Sequence, residues 1–173
     1  KSLIKIMVIS LGVYSLLFAG DESRIGTSGA NQLLVPVGAR GVAMSGSDLV
    51  YSHGLESTYW NPAGLSRLDG ATALASQMTM FGDVKVSFFG AGSKLGETGS
   101  FGLTIKSIDM GDIPITTVEA MDGTGSTFSP NMTAMALTYA NAFSDKARFG
   151  LSVKVITESI PRASASAYAL DAG

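Results

Sequence analysis

Residues 147–157 read ARFGLSVKVIT. Phe149, Leu151, Val153 and Val155 fall in one phase; Arg148, Gly150, Ser152 and Lys154 fall in the other. Alternation of this kind is the signature of a β-strand, with one set of side chains on each face. Outward from it the same pattern returns. In 100–109, Phe101, Leu103 and Ile105 oppose Gly102, Thr104 and Lys106. In 131–143, Met135, Leu137, Tyr139 and Phe143 share a phase. Segments 71–80 and 84–94 have strand length, and a further strand is expected from 165 to the end. The connections at 81–83, 95–99 and 144–146 are short, 158–164 is longer, and 110–130 is long and polar.

Two architectures carry such a pattern. A soluble antiparallel sandwich has one core face and one wet face. An outer-membrane barrel has a lipid face, a polar lumen and strands of about ten residues. Strand length, the short-long rhythm of the connections and an exported N-terminus favour the barrel. The expected fold is therefore all-β: a transmembrane, antiparallel outer-membrane β-barrel with outer-membrane lipid as its surroundings. In that setting Lys85, Lys106 and Lys154 must be lumen-facing or near the rims, because a lysine facing lipid at mid-bilayer costs about 2–4 kcal/mol. Six strands do not close such a barrel, and an open sheet edge in lipid leaves backbone groups unpaired. More strands are expected beyond residue 173.

Residues 1–20 differ from the rest. Lys1 and Lys5 precede a largely apolar run at 6–19, which Gly20, Asp21 and Glu22 end. This is the layout of a secretory signal peptide. An N-terminal membrane anchor is the competing reading, since Leu17, not a small residue, stands three before the expected cut. Residues 21–69 are rich in Gly, Ala and Ser, with no sustained period. They form the expected plug, and 70–173 the first barrel strands.

Composition excludes several functions. Charged residues make up 15%, the net charge is −2, there is no cysteine, and His53 is the single histidine. Disulfides, thiolate metal sites and multi-histidine sites are excluded, and no basic face for nucleic acid is evident. No cofactor and no catalytic residue is expected. Ser57 or Ser66 with His53 would be the available nucleophile and base, but no G-x-S-x-G elbow is present. Asp109, Asp112, Glu119 and Asp122 around the 110–130 loop fit no EF-hand spacing.

The most distinctive stretch is STYWNPAGL at 57–65, with the chain's single tryptophan. Asn61-Pro62 demands an extended or turn conformation at Asn61, and Gly64 permits a left-handed residue. A rigid corner with Trp60 as its anchor is expected. Residues 26–47 (GTSGANQLLVPVGARGVAMSGS) and 55–68 (LESTYWNPAGLSRL) together resemble the N-terminal signature of the PorV/PorQ family, outer-membrane barrels similar to FadL. The V-G-A-R-x-x-x-M-x-G pattern falls on Val37, Gly38, Ala39, Arg40, Met44 and Gly46; the hatch motif falls on Asn61, Pro62 and Ala63, followed by Gly64 and Leu65. Residues 156–173 resemble the same family. Ser45 departs from it, where a glycine is usual, as does His53, where acidic or small residues are.

The resemblance implies a FadL-like barrel of about fourteen strands, of which this chain holds about the first six. It implies a non-enzymatic component of type IX secretion, whose partners are the secretion machinery and cargo proteins with C-terminal sorting domains. The alternative is a FadL-like channel for hydrophobic small molecules such as long-chain fatty acids. Arg40 in a lumen would need an acidic or carbonyl partner, for which Glu56 is a candidate.

Overall fold

The computed structural model describes residues 29–160 and 163–173. The expected signal peptide at 1–20 lies outside the described residues, as does the start of the 21–69 segment up to residue 28.

The chain is predominantly β. Its strands are β1 (Ala71–Thr79), β2 (Lys85–Lys94), β3 (Ser100–Asp109), β4 (Ile113–Pro114), β5 (Thr127–Phe128), β6 (Asn131–Ala142), β7 (Arg148–Ile160) and β8 (Ala163–Ala172). Six of them form one antiparallel meander, in the order β1-β2-β3-β6-β7-β8. β4 and β5 pair only with each other, Ile113 with Phe128 and Pro114 with Thr127, so the polar 110–130 connection carries its own short ladder. β7 runs three residues beyond the expected end at 157. There Glu158, Ser159 and Ile160 pair with Ala165, Ser164 and Ala163. Backbone pairing extends the strand where side-chain alternation gives no signal.

The two faces of the sheet differ: one exposes large apolar side chains, and the other buries small and polar side chains together with Val86, Phe88, Ile108 and Ile156. Thr138 is 0% exposed while its neighbour Leu137 is 58% exposed; Ser152 is 1% exposed and Leu151 56%. Ser100, Gly102, Thr104 and Lys106 of β3 are buried, whereas Phe101 and Leu103 between them are open. Cross-strand pairs carry the pattern sideways. Leu103 pairs with Leu137, which pairs with Val153, which pairs with Leu170, and all four are exposed. Thr138 and Ser152 pair on the buried face and share a hydrogen bond of 2.8 Å.

The buried face is covered by the N-terminal segment, residues 32–68. This segment is built from short turns: α1 (Ala39–Ala43), a 3-10 turn at Gly54–Glu56, α2 (Ser57–Trp60) and a 3-10 turn at Pro62–Arg67. None is long enough for a helical period, so none is visible in the sequence. Leu55, Leu65 and Leu68 make a small core with Ala140 of β6 and the partly buried Leu74 of β1. The sheet receives them through glycines. A Cβ on Gly92 would lie 2.9 Å from the Leu55 side chain, and one on Gly102 would lie 3.2 Å from that of Leu65.

Candidate functional site

The Asn-Pro corner is the tightest point of contact between covering segment and sheet. Asn61 is extended (φ −155°, ψ 107°), as the following proline requires. Its Oδ1 accepts from the backbone N–H of Ala63 at 3.1 Å, capping the Pro62–Arg67 turn. Pro62 and Ala63 are buried, and Leu65 is fully so. Gly150 of β7 lies beneath: a Cβ there would fall 2.3 Å from the Pro62 carbonyl carbon and 2.4 Å from the Ala63 nitrogen. Backbone packs directly on backbone. Gly64 departs from the expected left-handed conformation and is absent from the positive-φ residues. Its glycine is required by space, since a Cβ would meet the Ser52 carbonyl oxygen at 2.5 Å and Ser57 Cβ at 2.6 Å.

Trp60 is received by the preceding motif. A Cβ on Gly41 would lie 2.5 Å from Cζ2 of the indole, and one on Gly46 would lie 3.6 Å from Cη2. The glycines of GVAMSG thus form the bed of the tryptophan. Tyr59 stands edge-on to Trp60, with ring centroids 4.8 Å apart. Ala39 and Met44, by contrast, are exposed. Ser45 adopts φ 53°, the left-handed region, which explains why a glycine suits this position. Gly38 is also left-handed (φ 81°), and a Cβ there would run into the Glu56 carboxyl group at 2.6 Å.

Arg40 does not meet Glu56. It faces Asp48, with Nε 3.4 Å from Oδ1. The Asp48 side chain is buried and that of Arg40 half exposed. The contact is coulombic only, because Oδ1 accepts no hydrogen bond within the described residues. Glu56 was the expected candidate, and the path of the chain after Gly46 brings Asp48 to Arg40 instead.

The three lysines separate. Lys106, 5% exposed, donates from Nζ to the carbonyl oxygens of Gln32 (2.9 Å) and Val35 and lies over the Tyr59 ring. Lys154 shares that face and pairs with Asp171 of β8. Lys85 is not on that face: it pairs with Thr79 at the very end of β2, in the phase of exposed Phe89, so of the two expected places only the rim remains for it. β2 carries a large aromatic on each face, and the covering segment takes Phe88, 4% exposed, together with Val86. That choice turns Lys85 outward at the strand's first residue.

Residues that the sequence did not single out complete the contact. Thr58 Oγ1 bonds the Leu55 carbonyl (2.8 Å) and Thr104 Oγ1 (3.2 Å), joining α2 to β3. The Tyr59 hydroxyl donates to the Leu33 carbonyl at 2.7 Å. Burial pushes the Tyr59 phenol above its ordinary pKa of 10.0, keeping that proton in place. The glycines recurring in one phase of β2, β3 and β7 were the available signal for this contact. Ser57 and Ser66 donate to the carbonyls of Gly54 and Ala63, and His53 Nδ1 lies 3.0 Å from the Tyr51 carbonyl, so these side chains engage local backbone. Among the described residues no group of three or more acidic or histidine side chains is placed to hold a metal ion. No family model, curated protein or solved structure matches the chain.

Proposed function

We propose that this chain is the N-terminal part of an outer-membrane β-barrel of the PorV/PorQ type, a non-enzymatic component of type IX secretion that binds cargo proteins and passes them to surface attachment. The observation that carries the membrane reading is the exposed apolar face of the sheet. A continuous row of Leu, Val, Phe and Met faces outward, and Ser, Thr, Gly and Lys, together with Val86, Phe88, Ile108 and Ile156, lie on the buried face. Exposed apolar surface on this scale is unfavourable in water and favourable in lipid. No described helix is long and apolar enough to cross a membrane, and a barrel crosses with strands instead. In this reading residues 32–68 plug the lumen, and the 110–130 connection, with its own β4–β5 ladder, is an outer loop available to cargo. The secretion role rests on the resemblance of the 37–46 and 55–68 motifs.

The hydrophobic-solute channel is the weaker reading. An acyl chain needs a continuous apolar pocket. The space among Lys106, Lys154, Phe88 and Tyr59 is about 20 Å³, room for about one water, and a larger cleft of about 370 Å³ beside Leu55 and Leu74 is lined also by Arg40, Asp48, His53 and Glu56, so it is not continuously apolar.

Deletion of the protein in its own organism tests the role. Proteins with C-terminal sorting domains should vanish from the surface and the medium and accumulate in the periplasm. An unchanged secreted set would overturn the secretion role and leave solute transport as the leading function.

A further inference from the structure

We infer that the tip of the 110–130 connection is a docking element for a partner protein, and that it enters a socket apolar at its centre and basic at its rim. The inference rests on the secretion reading, in which this connection is an outer loop, and it names the chemistry by which the exported protein is held.

The connection is a built hairpin. Beyond the β4–β5 pairs, the Ile115 N–H donates to the Ser126 carbonyl at 2.8 Å, and the Thr124 N–H donates to the Ile115 carbonyl at 2.7 Å. The Ser129 hydroxyl donates to the Asp112 carboxylate. Thr117 and Ala120 exchange backbone hydrogen bonds of 3.2 Å at the tip. This framework leaves the apolar side chains of the tip outside: Val118 is 83% exposed and Met121 77%. Phe81, in the β1–β2 connection, is fully exposed as well, and the pairing of Lys85 with Asp109 puts that connection at the same end of the sheet. Burying a valine or a methionine against a partner contributes about 1.5–3 kcal/mol. A hairpin that is already ordered loses little conformational freedom on binding.

Charge decides the kind of partner. Between Lys106 and Lys146 the sequence holds no lysine, arginine or histidine. Each apolar residue of the tip is followed by an acid, Val118 by Glu119 and Met121 by Asp122, and Asp112 stands nearer the base. All three acids are exposed, and among the described residues none is in an ion pair. A phosphate-bearing lipid surface or an acidic protein is repelled by such a rim, whereas lysine and arginine side chains are attracted. Among the described residues no acidic group is placed to hold a metal ion, so these carboxylates remain open to a cationic side chain.

The test uses the full-length protein in maltoside micelles and a purified secreted protein of the same organism with its C-terminal sorting domain. Binding should weaken as salt rises. Val118→Ser/Met121→Ser should weaken it about tenfold or more at every salt concentration. Glu119→Lys/Asp122→Lys should weaken it about tenfold at low salt and far less at high salt. Should one of these variants fail to reach the outer membrane, the other decides. Unaltered affinity in the variants, or no saturable binding by the parent protein, overturns the docking element; if deletion of the protein still abolishes secretion, the secretion role stands without it. An unchanged secreted set on deletion overturns the secretion role and, with it, the partner named here.

Discussion

The Nζ of Lys106 lies 4.6 Å from the centroid of the Tyr59 ring. One residue belongs to the sheet and the other to the segment that covers it. Around this pair the backbone is gathered: Lys106 takes the carbonyls of Gln32 and Val35, and the Tyr59 hydroxyl takes that of Leu33. An ammonium has three donors and no acceptor, so backbone carbonyls and an aromatic face satisfy it without a carboxylate. Lys106 is thus a fastening between covering segment and strand.

Lys106→Met should therefore loosen the segment and spare the sheet. It leaves the carbonyls at 32 and 35 without their donor, an effect of about 1–3 kcal/mol. Hydrogen exchange should quicken at 32–36, with β3 and β6 unchanged. Equal loss of protection in the strands would show that Lys106 supports the sheet itself.

Gly41→Ala reads out through the single tryptophan. The added Cβ would sit 2.5 Å from Cζ2, so the indole must leave its bed. The emission of Trp60 should shift to the red as the ring meets water, with a stability loss of about 1–3 kcal/mol. An unshifted spectrum would mean that the α1 turn, not the indole, gives way.

Gly150→Ala is a harsher change, because its Cβ would meet backbone atoms of Pro62 and Ala63, which cannot rotate aside. The Asn-Pro corner should lift as a unit. Limited proteolysis after Arg67 should become fast, while Gly54→Ala, where a Cβ would meet open space but φ is +70°, should change cleavage far less.

Ser45→Gly should stabilise the protein by about 0.5–1 kcal/mol, since Ser45 holds φ 53° and glycine takes that conformation without strain. Chemical unfolding in detergent measures it. A loss of stability would show that the Ser45 side chain makes a contact worth more than the strain.

The strands were legible because a pleated backbone forces a period of two, and β3 and β7 obey it with little interruption. Phase was legible where one face is apolar and the other small or polar. It failed in β2, where Phe88 and Phe89 offer both faces equally and only the covering segment decides. That segment was legible as motifs and not as structure: its turns are too short for a period, and their meaning lies in glycines whose partners are distant in sequence. Gly41 meets Trp60, Gly102 meets Leu65, and Gly150 meets Pro62. The partner of Arg40 was likewise a matter of chain path.

That the exposed apolar face of the sheet meets lipid is the central claim, and single cysteines introduced into a cysteine-free background test it directly; residues 1–173 contain no cysteine of their own. Single cysteines at Leu103, Leu137, Leu151 and Val153, and at Thr104, Ala136 and Ser152, would carry spin labels in the full-length protein in native outer membranes. Relaxation by oxygen, which concentrates in lipid, should dominate at the first four positions. The last three should be shielded both from oxygen and from a water-soluble nickel chelate. If the chelate reached Leu137 and Leu151 as readily as oxygen does, the outer face would be in water and the membrane account would fail.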